Sequence, residues 1–108
     1  MLPKRYRLKK EFGKTLSRGK RIRSKSFILL YSVKDTEKLS IGFLITKKVG
    51  GAVLRNKIRR RLSNILHSNL DTIRKDINMV IIPSKFTNWK ALSYNEIEQE
   101  LLLAIKQL

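Results

Sequence analysis

The stretch Lys47-Lys48-Val49-Gly50-Gly51-Ala52-Val53-Leu54-Arg55-Asn56-Lys57-Ile58-Arg59-Arg60-Arg61-Leu62 joins the end of an apolar strand to the start of a long helix. Downstream, apolar residues recur at Leu54, Ile58, Leu62, Ile65, Leu66 and Ile73. That spacing is one helical stripe turned toward a core. Off the stripe stand five cations, Arg55, Lys57, Arg59, Arg60 and Arg61, all within the first turns. The partial positive charge of a helix N-terminus favours Asp or Glu at that end. Five cations repel the dipole and one another, and no acidic residue occurs from position 47 to 70. A short Lys/Arg run is usually a solvated face. The wrong-end placement and the missing counter-charge point instead to a bound polyanion.

The rest of the chain carries the same bias. Its 108 residues suffice for one domain with one modest core, and its formal net charge is +17. Residues 1–61 hold 20 Lys/Arg against 3 acids (Glu11, Asp35, Glu37), whereas residues 62–108 hold 5 of each. The excess belongs to the N-terminal part and reads as the footprint of a nucleic acid. Self-repulsion predicts marginal stability until phosphate is bound.

Several chemistries are excluded or disfavoured. There is no cysteine, hence no disulfide, thiolate chemistry or Cys-based zinc site. The one histidine, His67, reads as an exposed residue of the long helix. No phosphate-binding glycine motif occurs, and Gly50-Gly51 reads as the turn from strand to helix. No His/Asp/Glu cluster has metal spacing. A two-metal nuclease needs several carboxylates in one site, and those of the basic part are scattered. No catalytic site on the protein is therefore expected. No apolar run approaches the ~20 residues of a membrane span, and the first residues lack an apolar signal core. The expected location is the cytoplasm, with no membrane partner.

In chain order, residues 1–7 read as a flexible basic arm. Leu8, Phe12 and Leu16 mark a short helix over 8–18, stopped by Gly19. Residues 20–25 suggest a short edge strand and 26–33 a β-rich strand. The polar residues 34–38 suggest a hairpin connection to a returning strand over 39–49. On that strand Ile41, Phe43 and Ile45 point one way, and Gly42, Leu44, Thr46 and Lys48 the other. The second face turns polar toward Lys48, as the open floor of a groove would. The long helix is expected from Ala52 to about Arg74. Residues 76–83 are nearly all apolar, a strand buried on both faces. Phe86 and Trp89 in the next loop are expected to pack on the domain. Ser93 and Glu96 form a capping box, and Leu92 with Ile97 a hydrophobic staple. Ile97, Leu101, Ala104, Ile105 and Leu108 supply the last buried stripe. The class is α+β, a single domain of order αβββαβα with a mixed four-stranded sheet packed by helices.

Tyr6, Phe12, Phe27 and Tyr31 are interleaved with Lys and Arg, a pattern suited to single strands whose bases stack on rings. The stretch from Lys47 to Arg60 closely resembles the signature of the bacterial ribonuclease P protein subunit, through Lys-Lys-Val-Gly, then Ala-Val, then Arg55-Asn56-Lys57-Ile58-Arg59-Arg60. Arg7-Leu8-Lys9-Lys10 followed by Phe12 resembles that family's opening, and Leu92-Ser93-Tyr94 its close. The resemblance implies an αβββαβα fold with a left-handed βαβ crossover through the long helix. It implies a subunit of a ribonucleoprotein whose RNA performs a Mg²⁺-dependent hydrolysis, the Mg²⁺ being held by RNA and substrate. The substrate is precursor tRNA, cut to release its 5′ leader.

Carried onto this sequence, the group facing the catalytic RNA is Arg55, Asn56, Lys57, Arg59, Arg60 and Arg61. The cleft for the single-stranded leader is Phe12, Leu16, Leu30, Leu44, Thr46 and Lys48. Gly51 stands where the family usually has Asn. Leu16 and Leu30 stand where aromatics are common, and Pro83-Ser84 where Ala-Arg is frequent. The main rival is a small basic ribosomal or general RNA-binding protein. A weaker one is a DNA binder placing the basic helix in a major groove.

Overall fold

The computed structural model describes residues 2–8 and 12–108. The chain runs α1 (Phe12–Arg18), β1 (Lys20–Arg23), β2 (Phe27–Val33), β3 (Ser40–Phe43), α2 (Ala52–Ser68), β4 (Ile77–Pro83) and α3 (Tyr94–Ile105), with 3-10 turns at Lys4–Tyr6 and Leu70–Thr72. The first helix, expected over 8–18, is seen from Phe12 onward, and positions 9–11 lie outside the described residues.

The sheet has the order β1-β2-β4-β3. β1 and β2 are antiparallel, β2 and β4 antiparallel, and β3 and β4 parallel. Residues 34–38 therefore do not close a hairpin, because β4 is inserted between β2 and β3. The cause is burial: six of the seven residues of β4 are buried. A strand apolar on both faces needs neighbours on both edges and layers on both sides. The more polar β1 and the short β3 are left at the edges.

β3, α2 and β4 form a parallel crossover whose hand follows from the hydrogen bonds. The Ile41 carbonyl accepts from the Leu8 N–H at 2.9 Å, on the edge of β3 away from β4, while the Ile41 side chain joins the α2 layer. Seen from its side-chain side with the chain running upward, an L-residue in a strand points its own N–H and C=O to the right. Viewed from α2, β4 thus lies to the left of β3. The crossover is left-handed, as the resemblance implies and against the roughly 98% right-handed rule.

The larger core lies on the α2/α3 face. Phe27, Leu29, Tyr31, Met79 and Ile81 meet Ile58, Leu62, Ile65 and Leu66 of α2 and Leu101 and Ile105 of α3. The opposite face carries a smaller cluster under α1. Ser93 Oγ accepts from the Glu96 N–H at 3.1 Å, and Glu96 Oε1 accepts from the Ser93 N–H at 3.2 Å, completing the capping box of α3.

Glu100 on α3 ties that helix to the start of β2. Its Oε2 accepts from the Ser26 N–H at 2.8 Å and its Oε1 from the Ser26 hydroxyl at 2.9 Å. Ser26 is buried. Glu100→Ala leaves both donors without an acceptor, at an expected cost of about 2–3 kcal/mol. In a domain of this size that lowers Tm by roughly 10 °C or more, as a thermal melt will read.

Three local expectations are corrected. α2 ends at Ser68 and not near Arg74, because Asn69 leaves helical geometry (φ −125, ψ 22) and its side-chain amide donates to the Ile65 carbonyl at 2.7 Å. Ile73 still reaches the core, from beyond the 3-10 turn. The N-terminal segment is not a free arm: Arg7 bridges Ile41, and Leu2 and Tyr6 pack against the main core. Trp89 is buried and donates its indole N–H to the Ser84 carbonyl at 2.9 Å, but Phe86 is 87% exposed with Lys85 Nζ 5.1 Å over its ring.

Before β4, Arg74 pairs with Asp76. The hydrogen bond from Arg74 holds the Asp76 carboxyl below the ordinary carboxylate range. The pair's small, solvent-screened contribution is present above that range and is lost as pH falls through the lowered value.

Candidate nucleic-acid interface

α2 begins without the devices that normally neutralise a helix start. Its N-cap is Gly51, with no side-chain cap and no acid in the first turn. At about 100° per residue the cations fan round the helix rather than forming one stripe. Arg55 and Arg59 share the ridge that continues to Ser63, Arg60 and Asn56 face outward, and Lys57 and Arg61 lie on the flank toward α3. Lys57, Arg59, Arg60 and Asn56 are exposed, and Arg59 donates to Asn56 Oδ1 at 3.3 Å. Arg61 is half-buried and donates to the Leu92 carbonyl at 3.2 Å, so its guanidinium is engaged in fixing the loop before α3. Arg55 is also half-buried, and its Nε is buried without an acceptor among the described residues. Such an orphan donor costs about 1–3 kcal/mol.

A Cβ added at Gly51 meets nothing within 4 Å. Gly51→Asn should therefore cap α2 and raise stability by a few tenths of a kcal/mol, a shift that paired thermal melts can detect.

The second surface lies on the α1 face of the sheet. Leu8, Leu30 and Val80 are buried there, and around them stand the half-exposed Phe12, Leu16, Ile28, Leu44 and Ile82. Phe12 comes so close to Gly42 that a Cβ on that glycine would sit 2.6 Å from the ring. α1 covers Leu30 and Val80 and leaves the next row of the sheet open. The result is a trough with Leu44, Ile82 and Ile28 as floor and Phe12 and Leu16 along one wall.

Phe12, Leu16 and Leu44 are thus brought together. Leu30 is only 3% exposed and lies under α1 in the row beside the open floor. Thr46 and Lys48 are exposed, but not through strand alternation: pairing of β3 ends at Phe43, and positions 46–50 turn, with Val49 N–H bonding the Thr46 carbonyl and Gly50 N–H the Lys47 carbonyl. They stand in the loop between the Leu44 end of the trough and the start of α2. Ile28 and Ile82 were missed by sequence reasoning. The alternation of Ile28 with Leu30, and of Val80 with Ile82, was available as a signal, but not which of each pair α1 would cover.

Between the N-terminal segment, β3 and α2 lies a pocket of about 370 Å³ whose lining includes Tyr6, Arg7, Phe12, Phe43, Arg59 and Ser63. Arg59 of the basic helix and Phe12 of the trough wall both line it. Among the described residues no three His, Asp or Glu side chains converge as a metal centre requires, and no helix is long and apolar enough to cross a membrane.

The chain matches the family model described as Ribonuclease P over residues 2–108. It is 33% identical over 107 residues to the ribonuclease P protein component of Streptococcus agalactiae serotype III, covering 97% of this chain and 95% of that protein. It is 38% identical over 99 residues to that of Finegoldia magna, covering 91% and 84%. Its fold matches the solved RNase P protein from Thermotoga maritima with TM-score 0.88 at 24% identity, covering 94% and 96% of the two chains. With sheet order, crossover hand and the signature around Arg55 all in place, the chain belongs to the ribonuclease P protein family.

Proposed function

We propose that this chain is the protein subunit of a cytoplasmic ribonuclease P, one protein per catalytic RNA, which removes the 5′ leader from precursor tRNA. The observation that carries the reading is the juxtaposition of two unlike surfaces. An uncapped helix start crowded with cations opens from the same loop that closes one end of an apolar, half-exposed trough. Arg55, Asn56, Lys57, Arg59 and Arg60 suit the backbone of a folded RNA. The orphan Nε of Arg55 supports this, since a guanidinium that swings out to a phosphate regains its acceptor. The trough suits unpaired bases, with Phe12 as stacking ring and Lys48 beside the phosphates.

Among the described residues no donor set suits a metal centre, and we assign hydrolysis and its Mg²⁺ to the RNA and substrate. The protein holds the leader and screens charge where two RNAs meet. The test is cleavage of precursor tRNA by bare catalytic RNA at low Mg²⁺, with and without this chain. Stimulation by the chain, with no cleavage by the RNA-free protein, is the expected result. Cleavage at the mature 5′ end by protein alone would overturn the assignment. A general RNA-binding protein would bind the RNA without stimulating cleavage.

A further inference from the structure

The trough does not end at Ile28. Register places Arg23 opposite Ile28, and Ile28 opposite Ile82. One row further, Arg21 stands opposite Leu30, which pairs with Val80 and through it with Gly42. Directly opposed residues share a face of the sheet. Arg21 and Arg23 therefore stand on the trough side, while Ile22 between them joins the main core. Both arginines are exposed, and neither has a hydrogen-bond or ion-pair partner among the described residues. No acidic residue occurs from position 12 to 34. Cations on an edge strand have a simpler explanation, protection against edge-to-edge association. That explanation does not require them to continue the one open apolar row of the sheet.

We infer that β1 is the far bank of the leader site: Arg21 and Arg23 take phosphates of the single-stranded leader after it has crossed β3, β4 and β2. The inference rests on the proposed function and gives the leader a direction. The Leu44 end of the trough adjoins the loop that leads into α2, where the catalytic RNA is placed. The leader enters beside Lys48 near the scissile bond, crosses Leu44, Ile82 and Ile28, and reaches β1 with its distal nucleotides. Three interstrand spacings make that crossing about 14 Å. Short leaders therefore fill the trough without touching β1.

The experiment measures holoenzyme affinity for precursor tRNAs whose leaders are trimmed stepwise from the 5′ end, with wild-type protein and with Arg21→Gln/Arg23→Gln. Two single-strand phosphate contacts contribute about 1.4 to the log–log salt slope, or about tenfold between ~1 M and ~0.15 M salt. The variant should bind the full-length leader about tenfold more weakly near physiological salt, with a shallower slope. It should equal wild type on leaders too short to cross the sheet, and Arg21→Lys/Arg23→Lys should restore binding. Equal losses on all leaders, or no loss on long ones while wild type still gains with length, overturn the inference and leave the proposed function standing. A wild-type holoenzyme indifferent to leader length would remove the leader trough itself, and this inference with it.

Discussion

Replacing Arg55, Arg59 and Arg60 together by alanine is expected to weaken binding to the catalytic RNA by about a hundredfold at ~0.1 M salt, with little change near 1 M. Each phosphate contact contributes roughly 0.7–0.9 to the log–log salt slope, so three contacts remove about 2–3 units of it. With Arg61 engaged by the Leu92 carbonyl, Arg55, Lys57, Arg59 and Arg60 remain of the cations assigned to the catalytic RNA, and the wild-type slope should be about −3 to −4. The alternative, a merely solvated basic face, predicts an unchanged slope. Stability separates misfolding from lost contact. Arg55 stands in the first turn of α2, where a cation opposes the helix dipole, and its buried Nε lacks an acceptor among the described residues, whereas Arg59 and Arg60 are exposed at mid-helix. Their removal should leave Tm unchanged or raise it while binding collapses. A fall in both would mean that the arginines support the fold.

The second large effect concerns Phe12. Phe12→Ala should cost about tenfold in holoenzyme affinity for precursor tRNA and nothing for mature tRNA, which has no leader. A ring stacked on a base is worth about 1–3 kcal/mol, and about 1.4 kcal/mol is tenfold. Assembly with the catalytic RNA should survive. Two neighbouring substitutions sharpen the reading. Gly42→Ala would place a Cβ 2.6 Å from the Phe12 ring, so the ring must move, and leader binding should fall selectively. Leu30→Ala hollows out a side chain that is 3% exposed, costs about 2–5 kcal/mol of stability, and should weaken precursor and mature tRNA alike. If Phe12→Ala instead behaves as Leu30→Ala does, with a large drop in Tm and equal losses, Phe12 belongs to the core and not to the trough.

The contrast between these positions shows how far the sequence reached. Local order was legible wherever one short pattern sufficed. The stripe from Leu54 to Leu66 placed α2, the nearly all-apolar run placed β4, and Ser93 with Glu96 placed the start of α3, because caps and periodicity act over a few residues. The charge argument was legible too, since five cations within seven residues, with no acidic residue from position 47 to 70, repel one another in any fold. What strand alternation supplied was only which residues share a face. It put Leu30 and Leu44 in one set without telling that α1 would bury the first and leave the second half-open beside Ile28 and Ile82. It extended β3 to Val49, although hydrogen bonding to β4 stops near Leu44 and the chain turns. It also joined β2 to β3 by a hairpin, because neighbours in sequence usually pair. Only the sheet itself decided otherwise. A strand as apolar as β4 is cheapest in the middle, and placing it there forced the parallel left-handed crossover and brought Arg21 and Arg23 of β1 into line with the trough. Those placements depend on pairings between residues fifty positions apart, and no local pattern carries that information.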